Sequence, residues 1–87
     1  MSKTAWTWTA RVTERSDGGT MYEVAQEFPG LRGAWWTVWV PRHPAEPTIT
    51  SEASREVSAS SKTGAKVLRT ITLRYPDALN RFFENAS

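Results

Sequence analysis

Apolar and polar side chains alternate along residues 6–15. Trp6, Trp8, Ala10 and Val12 fall on one side of an extended chain, and Thr7, Thr9, Arg11 and Thr13 on the other. This pattern predicts a half-buried β-strand made of good strand formers. Asp17-Gly18-Gly19 follows and predicts a tight hairpin turn. Tyr22, Val24 and Phe28 then continue the inward row, with Met21, Glu23, Ala25 and Glu27 on the outward one. Pro29-Gly30 and Gly33 bound a short connection into the stretch GAWWTVWVPR, Gly33 to Arg42. Pro41, Pro44 and Pro47 end this third strand, because proline has no N–H to give a ladder. The first half of the chain therefore predicts a three-stranded antiparallel meander.

Between residues 43 and 63 the pattern loses its period. A weak helix capped by Ser51, a short strand over Thr48–Thr50 and a loop all fit the thin apolar content. Beyond Gly64 alternation returns, with Ile71, Leu73 and Tyr75 on one side and Leu68, Thr70, Thr72 and Arg74 on the other. It predicts a fourth strand over Lys66–Tyr75. Pro76 suits a first helical turn, and Leu79, Phe82 and Phe83 lie at helical spacing behind it. The fold class is α+β: a four-stranded, mainly antiparallel sheet in the order β-β-β-(weak helix or loop)-β-α. The C-terminal helix packs on one face, in a single domain over residues 1–87. A small curled β-barrel is the alternative.

A sheet under one helical layer has a dry face and a wet face. Trp36, Val38 and Val40 join the dry row with Trp6, Trp8, Val12, Tyr22, Val24, Phe28, Ile71 and Leu73. Threonines, Arg11, Glu23, Glu27 and Arg74 make up the other row, and in it Trp35 and Trp39 stand out. Two readings follow. Residues 44–62 fold back over the indoles and complete the core, or the indoles form an aromatic patch rimmed by threonine and arginine. Patches of the second kind mark interaction surfaces. Burying both indoles needs ~300–400 Å² of apolar cover at ~150–250 Å² per ring. Ile49, Ala53 and Val57 supply only part of it, so the segment is expected to pack across one indole and leave the other accessible.

Composition narrows the function without naming it. Eighty-seven residues give one core, and five tryptophans supply much of its area. There is no cysteine, so disulfides and thiolate metal sites are excluded. The first residues lack the apolar run of a signal peptide, and no stretch has the length of a membrane span; a cytoplasmic protein without a membrane partner is expected. Eleven basic and nine acidic residues leave a formal charge of +2. The one region of single sign is Lys62–Arg74, where Lys62, Lys66, Arg69 and Arg74 meet no acid.

Reactive chemistry finds little support. His43 is the sole histidine and has no clustered acids or cysteines around it. Glu52 and Glu56 would share one face of a helix, where nothing apolar raises either carboxyl. The stretch SSKTGAK lacks the glycine spacing of a phosphate loop, and no Gly-x-Ser-x-Gly elbow accompanies the many serines. No catalytic residue, cofactor or metal is expected. Tyr22–Leu31 resembles the strand and Pro-Gly corner of HicB-type antitoxins over a short stretch. The tryptophan strand stands where that family has a helix, and the resemblance assigns no role to any residue.

Two classes of function remain. The first is a non-enzymatic protein-binding module or inhibitor using Trp35, Trp39, Arg11 and Arg74, of a size common among phage and mobile-element accessory proteins. Its partner is another protein or a second copy, and a homo-oligomeric structural subunit is a variant of the same idea. The second is nucleic-acid binding, with Lys62, Lys66, Arg69 and Arg74 on phosphates and the two indoles stacking bases.

Overall fold

The computed structural model describes residues 7–42 and 45–80. In chain order they form β1 (Thr7–Ser16), β2 (Gly19–Phe28), β3 (Leu31–Pro41), β4 (Thr48–Ser51), β5 (Glu56–Val57) and α1 (Lys62–Arg74). The strands make one antiparallel sheet in that same order, so each strand pairs with its neighbours in sequence. α1 packs against β1 and β2 on one face, and the architecture is α+β. Among the described residues β1 and β5 are the edge strands and do not pair with each other, so the sheet is open and not a closed barrel.

The turns form where glycine and proline place them. Ser16 lies opposite Gly19 across Asp17-Gly18, and Phe28 lies opposite Leu31 across Pro29-Gly30. Proline presets φ at the first position of the second turn, and Gly30 takes a φ of 74° at the next. The stretch without a clear period is a small hairpin, not a helix. Ile49 holds it in place: 1% exposed, it sits opposite Val38 on one side and Val57 on the other.

The fourth strand expected over Lys66–Tyr75 is instead the helix α1. Gly64, Val67, Leu68 and Ile71 are all buried, and their 3-1-3 spacing is one face of a helix. Leu73, expected inward, is 74% exposed, whereas Leu68, expected outward, is buried. The threonines that favoured a strand are accommodated by back-bonding. Thr70 and Thr72 donate their hydroxyls to the carbonyls of Lys66 (2.8 Å) and Leu68 (3.0 Å). Ser61 caps the helix, accepting from the Gly64 N–H at 3.0 Å and donating to the Ser58 carbonyl at 2.6 Å. The helix expected from Pro76 falls partly outside the described residues, as do Trp6, Phe82 and Phe83. Its described part is a run of turns over residues 76–79 that delivers Leu79, 1% exposed, into the core, followed by helical Asn80.

The core lies between α1 and the inner face of the sheet. Ala10, Tyr22, Val24, Trp36, Val38 and Ile49 meet Val67, Leu68, Ile71 and Leu79 there. Trp8 of β1 and Trp36 of β3 stack across β2, with ring centroids 5.2 Å apart and planes 6° apart. Val24, opposite both Ala10 and Trp36, is wholly buried in the strand they flank.

Gly64 is a contact point as well as a helix residue. A methyl group on it would overlap the Ser58 carbonyl oxygen and stand 2.8 Å from the carbonyl carbon. Gly→Ala inside a helix ordinarily gains up to ~1 kcal/mol. Gly64→Ala is expected to reverse that sign and destabilise by ~1–3 kcal/mol, the usual cost of overpacking. Urea unfolding measures it, and a stabilised variant would contradict this packing.

Burial raises the pKa of the Tyr22 hydroxyl above its ordinary value of 10.0; Arg15 opposes the rise and Tyr75 adds to it. The folded chain therefore holds its phenol proton to higher pH than the unfolded chain does. The resulting stability is complete below pH ~10, where both states are protonated, and is lost as the unfolded phenol ionises above it. Tyr22→Phe is expected to flatten the alkaline decline in urea-melt stability. An unchanged decline would assign it to other groups.

Candidate functional site

No described element lies over the outer face of the sheet. Its side chains form three transverse rows. Arg11, Glu23, Thr37 and Thr50 are in register across β1 to β4; Thr9, Ala25 and Trp35 lie to one side, and Met21, Trp39 and Thr48 to the other.

The middle row is organised by one carboxylate. Glu23 Oε1 accepts from Arg11 Nε and Nη2, both at 3.0 Å, and Oε2 receives Arg32 Nη2 at 2.9 Å. Its side chain is 19% exposed, while those of Arg11 and Arg32 are 69% and 48% exposed. Arg32 reaches this face because the β2–β3 register shifts between Ala25 and Glu27, which puts Arg32 opposite Glu27 and on the side of Trp35. Its guanidinium carbon is 5.6 Å from the centroid of the Trp35 ring. The Trp35 backbone N–H donates to Glu52 Oε1 at 3.1 Å.

Trp39 is partly covered from within its own sheet. A Cβ on Gly19 would come within 2.9 Å of Trp39 Cζ2, and one on Gly18 within 3.8 Å. The glycines of the first turn leave the space that this indole fills. Trp35 and Trp39 are both half-buried. Of the segment expected to pack across one of them, residues 48–51 form a strand beside β3. β4 extends the sheet sideways, placing Thr48 beside Trp39 and Thr50 beside Thr37.

Of the residues singled out in the sequence, Trp35, Trp39 and Arg11 share this face. Arg74 does not: it ends α1 in the other layer, with its guanidinium carbon 5.0 Å from the Tyr75 ring centroid. Lys62, Lys66 and Arg69 also belong to α1, one turn apart on its solvent side. None of the four has a carboxylate within ion-pair distance among the described residues. A single platform combining these cations with Trp35 and Trp39 is therefore ruled out, because helix and indoles lie on opposite sides of the sheet. Glu52 and Glu56 share no helix; one lies in the turn after β4 and accepts from the Trp35 N–H, and the other lies in β5. His43 is outside the described residues. Sequence reading missed the roles of Glu23 and Arg32. The pairing of Arg11 with Glu23 follows from counting back from the Asp17-Gly18 turn, whereas Arg32 depends on the register shift.

No family model matches the chain, and no curated protein or solved structure matches it. Among the described residues no helix is long and apolar enough to cross a membrane.

Glu23 separates two guanidinium groups that would otherwise repel. Glu23→Gln is expected to cost ~0.5–2 kcal/mol, two exposed pairs at ~0.2–1 kcal/mol each. The cost should shrink in molar salt, which screens both the lost attraction and the new repulsion. Urea melts at low and high salt check it; a salt-independent loss would point to packing instead.

Proposed function

We propose that this chain is a non-enzymatic protein-binding module that occludes a partner protein through the outer face of its sheet. The observation that carries the reading is the pairing of two half-buried indoles with a face that no described element covers. Trp35 and Trp39 act as the apolar anchors, since tryptophan and arginine dominate binding hot spots. The Arg11–Glu23–Arg32 network acts as the polar element that fixes register, with both guanidiniums still exposed enough to meet carboxylates or carbonyls of a partner. Rigid strands hold the face in shape, so little ordering entropy is lost on docking.

The test is the double variant Trp35→Ser, Trp39→Ser. It is expected to stay folded by circular dichroism, with a lowered Tm, and to lose the partner or the self-associated form of the wild type. Its mass in solution distinguishes these two occupants, because a second copy doubles the wild-type mass and a foreign partner does not. Loss of the folded state in the variant would return both indoles to the core and end the proposal.

A further inference from the structure

The edge strand β1 carries a second feature, independent of Trp35 and Trp39. Antiparallel pairing with β2 uses the backbone groups of alternate β1 residues and leaves those between them pointing outward. From Thr7 to Val12 the register is regular, and beyond Val12 it shifts at Thr13. Among the described residues no other strand pairs with this edge. Two hollows meet at Thr9 and Ala10. One, of about 350 Å³, runs beneath the edge between Trp8, Lys66, Thr70, Leu73 and Arg74. The other, of about 210 Å³, lies above it beside Arg11, Glu23 and Arg32. A strand added to β1 would send its alternate side chains into these two spaces.

The lower hollow defines what it accepts. Leu73, 74% exposed, and the edge of Trp8 make its apolar wall. Lys66, whose Nζ is 5.5 Å from the Trp8 ring centroid, and Arg74 make its charged rim, and neither has a carboxylate partner among the described residues. We infer that β1 is a docking edge for an extended acidic segment of a partner protein, which adds as a sixth strand between Thr7 and Val12 and turns its carboxylates toward Lys66 and Arg74. A second copy is a poorer occupant. The inward row of its β1 is Trp8, Ala10, Val12 and Arg15, which brings another cation to the two already there. The shift at Thr13 bends the rest of the edge away and limits the docked segment to the regular part.

A short blocked peptide alternating glutamate and threonine, labelled for fluorescence anisotropy, is the probe. Saturable binding is expected, at least tenfold weaker for the glutamine–threonine peptide and for the Lys66→Gln, Arg74→Gln variant, which keeps the side-chain stems. Hydrogen exchange monitored by NMR should show protection gained at alternate amides from Thr7 to Val12. The Trp35→Ser, Trp39→Ser variant should bind the peptide as the wild type does, so failure of the outer-face reading leaves this result intact. Binding without protection in β1, equal affinity for the glutamine peptide, or displacement by single-stranded DNA without β1 protection would each overturn the inference. So would a wild-type dimer already protected at those amides, since the edge would then belong to a second copy.

Discussion

A single short helix has to dry one face of a sheet longer than itself, and the rest of the structure adjusts to that mismatch. Thirteen residues of α1 rise ~20 Å at ~1.5 Å each, whereas the ten-residue β1 and β2 run ~33 Å at ~3.3 Å each. The remaining inner surface needs large side chains from the sheet itself. Trp8 and Trp36 provide them by stacking across β2, and Lys66 of α1 lies over the outer ring of that stack. Tyr22 and Tyr75, with centroids 5.4 Å apart, and the buried Leu79 provide further cover beyond the last turn of α1. Placement of the helix depends in turn on Gly64, whose missing side chain lets the first turn of α1 press on the Ser58–Ala59 backbone.

This arrangement explains which parts of the fold could be read from the sequence. The meander was legible because each of its signals is local: a period of two, an Asp-Gly turn, a Pro-Gly turn, and prolines at the end. The helix was not, because Val67 and Ile71 fit both periods and only Leu68 and Leu73 tell them apart over so short a stretch. Two threonines weighted the balance toward strand, and their back-bonding to the preceding turn is visible only once the helix exists. What settles the choice is tertiary. A strand over Lys66–Tyr75 would bury Leu73 and expose Leu68, while a helix buries Val67, Leu68 and Ile71 together against the sheet. Short β4 was ambiguous for a related reason: Ile49 is its one strong apolar residue, and its partners Val38 and Val57 are set by pairing.

The candidate surface was legible to a similar depth. Trp35 and Trp39 violated the alternation expected of a half-buried strand, and a violation without an evident covering segment marks a face with a use. Their surroundings required the register. A one-residue shift between β2 and β3 carries Arg32 onto the outer face, where it bridges Glu23 and the Trp35 ring. No periodicity rule foresees such a shift. The cations of α1 show the reverse error. As a strand, Lys66 and Arg74 shared a face with the indoles, whereas as a helix they are removed to the opposite layer.

Separation of charge between the two layers has a consequence for how the molecule meets a partner. On the outer face the arginines are tied to Glu23, so that face is nearly neutral in its centre and depends on shape and apolar area. On the helix side Lys62, Lys66, Arg69 and Arg74 stand without carboxylates among the described residues, so their field reaches into solvent and strengthens at low salt. The edge of β1 lies where the two regimes meet, with a hollow on each side of Thr9 and Ala10. For the proposed docked strand, the backbone groups there would supply affinity indifferent to sequence, and the cations below would select an acidic one. Under the docking proposed for this edge, a partner would be drawn in by the charge on one side and then held by hydrogen bonds and apolar contact. Range would set that order: charge acts over about a Debye length, ~8–10 Å, and the ladder acts only at contact.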